Sequence, residues 1–266
     1  MTPAERALIE ARRQAEETAQ AKDRFIATIS HEIRTPMTGV MGMIELLNSD
    51  PPEAERKRYL ETLSHSASVL MGLLDQVLDL SKISNRNVTL ETSDFELGGV
   101  VENTVNLYLT SASSKGIALE YHNPAPRPIM VCADQTRIAQ VLSNLVNNAI
   151  KYTEQGKVSV DVTPPSADPA DIVWTFVVTD TGVGISTADI PRIFAPFEQL
   201  QPDNAIRTGG IGLGLAISRS IVTAMGGTIT VTSTVGKGTS FTVKLPLPPA
   251  TGEGAGDHAA EQSAPS

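Results

Sequence analysis

A helical hairpin followed by an α/β sandwich with a mixed sheet is the fold that the sequence predicts. Three observations lead there. Apolar residues recur at steps of three and four between residues 26 and 80, the period falls to two in several short runs after Asn87, and glycine clusters stand at the ends of those runs. A length of 266 residues suits two modest domains, each able to bury its own core.

Composition narrows the function classes. A hydrophobic content of 41% and a charged content of 19% are those of an ordinary globular chain. The formal net charge of -9 argues against a nucleic-acid partner, whose phosphates select basic surfaces. No apolar run approaches the ~20 residues that span a bilayer, and the N-terminus has no apolar signal-peptide core, so a cytoplasmic location without membrane contact is expected. The single Cys132 excludes an internal disulfide, offers no zinc cluster and is expected within a strand.

Residues 1–22 read as an N-terminal coiled-coil linker helix, whose heptad runs back through Ala19 and Ala15 to Leu8 with Arg12 and Lys22 weakening the seam. An upstream sensory domain would attach at this end. Residues 23–86 read as the hairpin. Ile26, Ile29, Ile33, Val40, Met43 and Leu47 form the first seam, Asn48-Ser49-Asp50-Pro51-Pro52 breaks it, and Leu60, Leu63, Ala67, Leu70, Leu74 and Val77 form the second. Two such arms leave apolar surface uncovered, so a homodimer joined as a four-helix bundle is expected.

Residues 87–247 alternate between strands and helices. Strands are expected at 88–91, 117–122 and 129–132, with a helix at 97–113 between the first two. Asp134 is placed to cap a helix that runs to Tyr152. Paired strands at 158–162 and 172–179 flank a proline-rich loop, and Trp174 belongs to the core. A helix over 213–225 closes at Gly226-Gly227 and is followed by strands at 228–232 and 240–245. Residues 248–266 lack apolar periodicity and read as a disordered tail.

Setting Ile26 at heptad position a and Ile29 at d puts His31 at f, farthest from the seam and facing solvent. Most such histidines are surface residues without a task. Glu32, however, can accept from one ring nitrogen and leave the other nucleophilic, while Arg34 and Thr35, at i+3 and i+4, bring a cation and a hydroxyl to the same face. Pro36 removes a backbone donor and predicts a bend. His65, between two serines, lacks these neighbours and reads as a surface histidine.

On the helix after Asp134, a rotation of about 100° per residue gathers Asn144, Asn148 and Lys151 away from Ile138, Leu142, Leu145 and Ala149. Such asparagines serve as polar coverage or, with the lysine, as an amide oxygen for a hard cation and an ammonium for phosphate. Asp180-Thr181-Gly182-Val183-Gly184-Ile185 follows an apolar strand and also fits an ordinary strand-ending turn. Gly209-Gly210-Ile211-Gly212-Leu213-Gly214 opens a helix whose free N–H groups favour phosphate, yet it has neither the Lys-Ser/Thr of a P-loop nor the Rossmann spacing.

Ser30-His31-Glu32-Ile33-Arg34-Thr35-Pro36 closely resembles the H-box of sensor histidine kinases, and the second half resembles the GHKL ATPase fold. Residues 144–152 match its N-box, 193–198 its F-box, and the clusters at Asp180, at Gly209 and at Gly236-Lys237-Gly238-Thr239 its glycine boxes, with a likeness to hybrid-type kinases in particular. The resemblance implies an ATP-dependent protein-histidine kinase of two-component signalling. In it His31 takes the γ-phosphoryl group of ATP and passes it to an aspartate of a response-regulator receiver domain, Glu32 orients the ring and takes up its proton, and Thr35 positions water for dephosphorylating the receiver. ATP and Mg²⁺ are implied: Asp180 accepts from the adenine amino group, Asn148 ligands Mg²⁺, Lys151 and Tyr152 line the phosphate side, and Asn144 belongs to the nucleotide-binding residues. Gly182, Gly184, Ile185, Gly210, Gly212, Leu213, Gly214 and Thr239 would complete the pocket, and Arg207, in a lid over residues 198–211, would contact phosphate. The H-box counts against a GHKL ATPase without phosphotransfer, and intact His31, Glu32, Asn148 and Asp180 count against a pseudokinase that only binds partners.

Overall fold

The computed structural model describes residues 12–13, 26–27, 29–30, 33–84, 89–123, 128–166, 168, 170–196, 198 and 212–250. The expected linker helix over 1–22 falls almost wholly outside them, as do Val88, most of the lid, the tail from residue 251 and the side chain of His65. The described residues form two compact units, one helical and one α/β.

In the helical unit, α1 occupies residues 33–48 and continues unbroken through Pro36, and α2 spans Glu53–Ser84. The breaker between them makes a tight connection. Asp50 adopts φ 53°, a left-handed conformation that its short polar side chain tolerates. Pro51 is buried, the Pro52 carbonyl accepts from the N–H groups of Glu55 and Arg56 at 2.9 Å each, and the Arg56 guanidinium reaches Asp50 at 2.8 Å. A Cβ on Gly39 would lie 3.2 Å from Ser66 Oγ, so a residue without a side chain lets α1 and α2 approach closely there.

Each helix carries two apolar rows where the sequence suggested one. On α1, Val40, Met43 and Leu47 are half-buried, whereas Ile33, Met37, Met41 and Ile44 form a second, exposed row. On α2, Tyr59, Leu63, Ser66, Leu70 and Leu73 are half-buried, and Leu60, Met71 and Leu74 are exposed. Both expected seams are therefore split: Ile26 and Ile33 are exposed while Val40, Met43 and Leu47 are half-buried, and Leu63 and Leu70 turn inward while Leu60 and Leu74 do not.

The α/β unit is built from β1 (Ser93–Glu96), α3 (Leu97–Asn106), α4 (Leu109–Ser114), β2 (Ala118–His122), β3 (Met130–Ala133), α5 (Gln135–Tyr152), β4 (Lys157–Thr163), β5 (Val173–Asp180), α6 (Gly214–Ala224), β6 (Thr228–Thr234) and β7 (Gly238–Pro246). A five-stranded sheet has the order β2-β4-β5-β7-β6, with β2 and β4 parallel and the other pairs antiparallel. It is the mixed sheet expected. A separate antiparallel ribbon joins β1 to β3 and holds the half-buried Cys132.

α5 lies on β4 and β5 and packs against α3. Its inward stripe of Ile138, Val141, Leu142, Leu145, Val146, Ala149 and Ile150 meets Val158, Val160, Trp174, Phe176 and Val178, all buried. The Asp134 side chain caps α5 as expected, accepting from Arg137 N–H at 3.0 Å, and its other oxygen takes Glu91 N–H at 2.9 Å.

That second bond marks one correction. The strand expected at 88–91 is not formed by its described residues; Glu91 spends its donor on Asp134, and pairing begins at Ser93. A second correction concerns the helix expected over 97–113. It is interrupted at Leu107 and Tyr108, where Tyr108 N–H returns to Val105 O at 2.9 Å, a tighter turn that restarts the helix with Ala112 facing inward and Leu107 outward. A third concerns the tail. Leu247 is buried, Cys132 N–H donates to Pro248 O at 2.9 Å, and Ala250 N–H donates to Met130 O at 3.1 Å, so the chain stays tied to β3 through Ala250.

Candidate functional site

Register explains how the polar residues of the α/β unit come together. On the helix-covered face, Val178 of β5, Phe241 of β7 and Val231 of β6 stand opposite one another in one row, and Phe176, Val243 and Ile229 in the row before it. The next row is Asp180, Thr239 and Ser233. Apolar rows that build the core thus end in three hydrogen-bonding side chains at one rim of the sheet.

Asp180 is buried, with Oδ1 accepting from Gly182 N–H at 2.8 Å and from Thr239 N–H at 3.2 Å. No described residue donates to Oδ2. Burial pushes the carboxyl above the usual aspartate range, and the two N–H bonds pull in the opposite direction. The turn after it is held from two sides. Val183 N–H donates to Tyr152 O at 3.3 Å, Gly236 N–H donates to Val183 O at 2.8 Å, and Ile185 N–H donates to Ser233 Oγ at 2.7 Å. Glycine is required at two of these positions: Gly184 has φ 71° with Thr234 O 2.2 Å from where a Cβ would sit, and at Gly238, φ 113°, that Cβ would be 1.9 Å from Asp180 O.

On α5, Asn144 Nδ2 donates to Ser218 Oγ of α6 at 2.8 Å, and Asn148 Nδ2 lies 3.5 Å from Asn144 Oδ1. Asn148 is half-buried, and none of the described residues donates to its Oδ1, a neutral carbonyl oxygen of the kind that Mg²⁺ accepts. The Lys151 ammonium stands 4.9 Å from the centre of the partly exposed Tyr152 ring. Lys115 secures the end of this helix, its ammonium donating to the carbonyls of Ile150 at 2.7 Å, Lys151 at 3.1 Å and Thr153 at 3.4 Å. Cations at a helix C-terminus satisfy orphan carbonyls and complement the dipole.

The structure therefore brings Tyr152, Asp180, Gly182, Gly184, Ile185 and Thr239 into one bonded cluster, and joins Asn144 to Asn148. Gly212 adopts φ 73°, Leu213 is fully buried and Gly214 begins α6. Of the F-box, Ile193 is buried and the Phe194 ring meets Phe241 edge-on at 6.3 Å, with the Arg219 guanidinium 5.7 Å from its centre. Thr35 is exposed on α1. His31, Glu32, Arg207 and Gly210 lie outside the described residues. Sequence reasoning missed Lys115, Ser218 and Ser233. For Ser233 a signal existed, since Ile229-x-Val231-x-Ser233 is a period-two row whose last member alone is polar.

Residues 21–86 match the family model "His Kinase A (phospho-acceptor) domain", and residues 133–249 match "Histidine kinase-, DNA gyrase B-, and HSP90-like ATPase". The chain belongs to the histidine kinases. Curated relatives of this histidine kinase chain include the autoinducer 2 sensor kinase/phosphatase LuxQ of Vibrio cholerae, 37% identical over 238 residues, which are 89% of this chain and 28% of that protein. The aerobic respiration control sensor protein ArcB of Escherichia coli is 36% identical over 234 residues, 88% of this chain and 30% of that protein. The chain thus spans less than a third of the length of these relatives. Among solved structures, full-length ShkA in complex with AMPPNP superposes with a TM-score of 0.63 at 30% identity, covering 86% of this chain and 46% of that one. The Acinetobacter baumannii histidine kinase AdeS gives 0.56 at 28% identity, covering 82% and 98%.

Proposed function

We propose that this chain is an ATP-dependent protein-histidine kinase core that phosphorylates itself on His31 and passes the phosphoryl group to an aspartate of a receiver domain. The carrying observation is Asp180: a buried carboxylate with one oxygen saturated by two backbone N–H groups and the other without a described donor suits a purine amino group, which must be read by an acceptor. A neighbour of the same fold solved with AMPPNP supports the assignment of the pocket. Asn148 would hold Mg²⁺ through its amide oxygen, and the ion supplies neutralisation of the charge on the transferring group. Lys151 adds a fixed cation on the phosphate side. In the transfer, a His31 nitrogen attacks the γ-phosphorus, the bond to the β,γ-bridging oxygen breaks, ADP leaves, and Glu32 takes the ring proton.

The helical unit supports a homodimer, because Ile33, Met37, Met41 and Ile44 on α1 and Leu60 and Leu74 on α2 present apolar rows that the hairpin leaves uncovered. No described helix is long and apolar enough to cross a membrane. A phosphatase role for the exposed Thr35, orienting water towards a receiver's aspartyl phosphate, is supported by likeness to a relative named kinase/phosphatase. Incubation with ATP labelled at the γ or the α phosphorus tests the main reading. Label from γ alone, acid-labile and lost in His31→Gln while nucleotide binding survives, is expected. Free phosphate without labelling would make the chain an ATPase, and label surviving in the variant would remove His31 from the mechanism.

A further inference from the structure

We infer that Ser233 is a positioning residue for nucleobase recognition, closing a ring of hydrogen bonds that holds the Asp180 carboxylate and the following turn in one geometry. The inference rests on the reading of Asp180 as the adenine acceptor. Ser233 Oγ accepts from Ile185 N–H at 2.7 Å, lies 2.9 Å from Thr239 Oγ1 and donates to Gly238 O at 2.9 Å. A hydroxyl has one proton and two lone pairs, so with Thr239 donating, all three are used. Thr239 in turn donates its N–H to Asp180 Oδ1, which also receives Gly182 N–H. Starting at Asp180, the ring runs through Gly182 and the chain to Ile185, across Ser233 to Thr239, and back. β7 stands between β6 and β5 in the sheet, so the Ser233 side chain reaches Asp180 through Thr239.

The consequence is specific to the base. A carboxylate distinguishes the amino group of adenine from the carbonyl of guanine only while its free oxygen is held in place; a turn that drifts by a few tenths of an ångström loses that preference before it loses phosphate binding. Removing the hydroxyl strands Ile185 N–H and Gly238 O and lets the turn relax, yet leaves every group proposed to meet the phosphates or Mg²⁺ in place.

The test titrates the purified chain with ADP and with GDP by calorimetry, and follows self-labelling against ATP concentration. Ser233→Ala is expected to weaken ADP about tenfold with GDP nearly unchanged, and to raise KM for ATP while kcat stays within about twofold. Ser233→Thr, which restores the hydroxyl, should recover most of the preference. Ser233→Cys, a weaker donor of similar volume, should fall between and serves if the alanine variant does not fold. Ser240→Ala removes a hydroxyl one residue along β7 that bonds Thr179 Oγ1 at 3.0 Å and stands outside the ring; it should change nothing. Equal ADP affinity in Ser233→Ala and wild type, or parallel losses for ADP and GDP with a fall in kcat, would overturn the inference. A wild-type chain that binds neither nucleotide would instead remove the reading of Asp180 on which it rests.

Discussion

In the helical unit Met41, Leu60, Met71 and Leu74 are each more than half exposed, whereas in the α/β unit Leu142, Leu145 and Phe176 are at most 1% exposed. Leu142 and Leu145 lie on an amphipathic helix, as the first set does, and Phe176 lies on the strand beneath it. The difference is what each element has to pack against. α5 lies on β4 and β5 of the sheet, while among the described residues of the helical unit α1 and α2 have each other, and two helices cover one stripe apiece. Complete burial of one such side chain contributes about 1.5–3 kcal/mol, so four half-covered ones leave several kcal/mol to be gained by a second copy. One unit is a finished core, and the other leaves apolar rows exposed among its described residues.

The largest expected effect breaks that contrast directly. Leu60→Asp combined with Met41→Asp should convert a dimer into a monomer by sedimentation while the thermal transition of the α/β unit stays where it was. A monomeric wild-type chain would end the comparison.

Asp180→Asn should separate function from stability within the finished core. Loss of a charge-assisted bond to the base predicts ATP affinity lower by about 10- to 100-fold in a direct titration. Stability should move the other way. Because burial raises the folded pKa above the unfolded value of 3.8, the associated stability is present below the unfolded pKa and is lost as pH rises through the folded one. At pH 7 the unliganded variant should therefore melt at the same temperature as wild type or higher, and the two should converge below pH 3.8. A variant that melts lower at pH 7 would show that the carboxylate is part of what holds the unit together. The same shift predicts that ATP binding fails on acidification at a higher pH than an ordinary aspartate would impose.

Smaller effects sharpen the account of α5. Asp134→Ala removes an N-cap and should destabilise the α/β unit by about 0.5–2 kcal/mol in urea unfolding, leaving the dimer intact. Lys115→Met frees the carbonyls at the other end and should cost about 0.3–1 kcal/mol, reduced by added salt in wild type only.

Much of this was legible in the chain. The breaker at residues 48–52, the cap at Asp134, the pairing of β4 with β5 and the glycine clusters are local, each following from turn chemistry or from a period that a few neighbouring residues impose. Two of the corrections share a non-local cause, while the break at Leu107 and Tyr108 is a local tight turn. Glu91 is diverted from a strand by a carboxylate 43 residues on, and the segment through Ala250 is ordered by β3, far behind it in the chain. Neither partner leaves a trace in the periodicity of the segment that it captures.

The sequence by itself determined the kind of element in most places, the gathering of Asn144 and Asn148 on the polar side of α5, the place of Asp180 at the end of an apolar strand, and the family motifs that contain them. Tertiary structure alone decided which polar ends share a rung. Asp180, Thr239 and Ser233 come from three strands whose order in space is not their order in the chain, and only cross-strand register sets them side by side. It also decided which of the two apolar rows on α1 and α2 faces inward, since heptad spacing defines stripes on a helix but the crossing of its partner chooses between them.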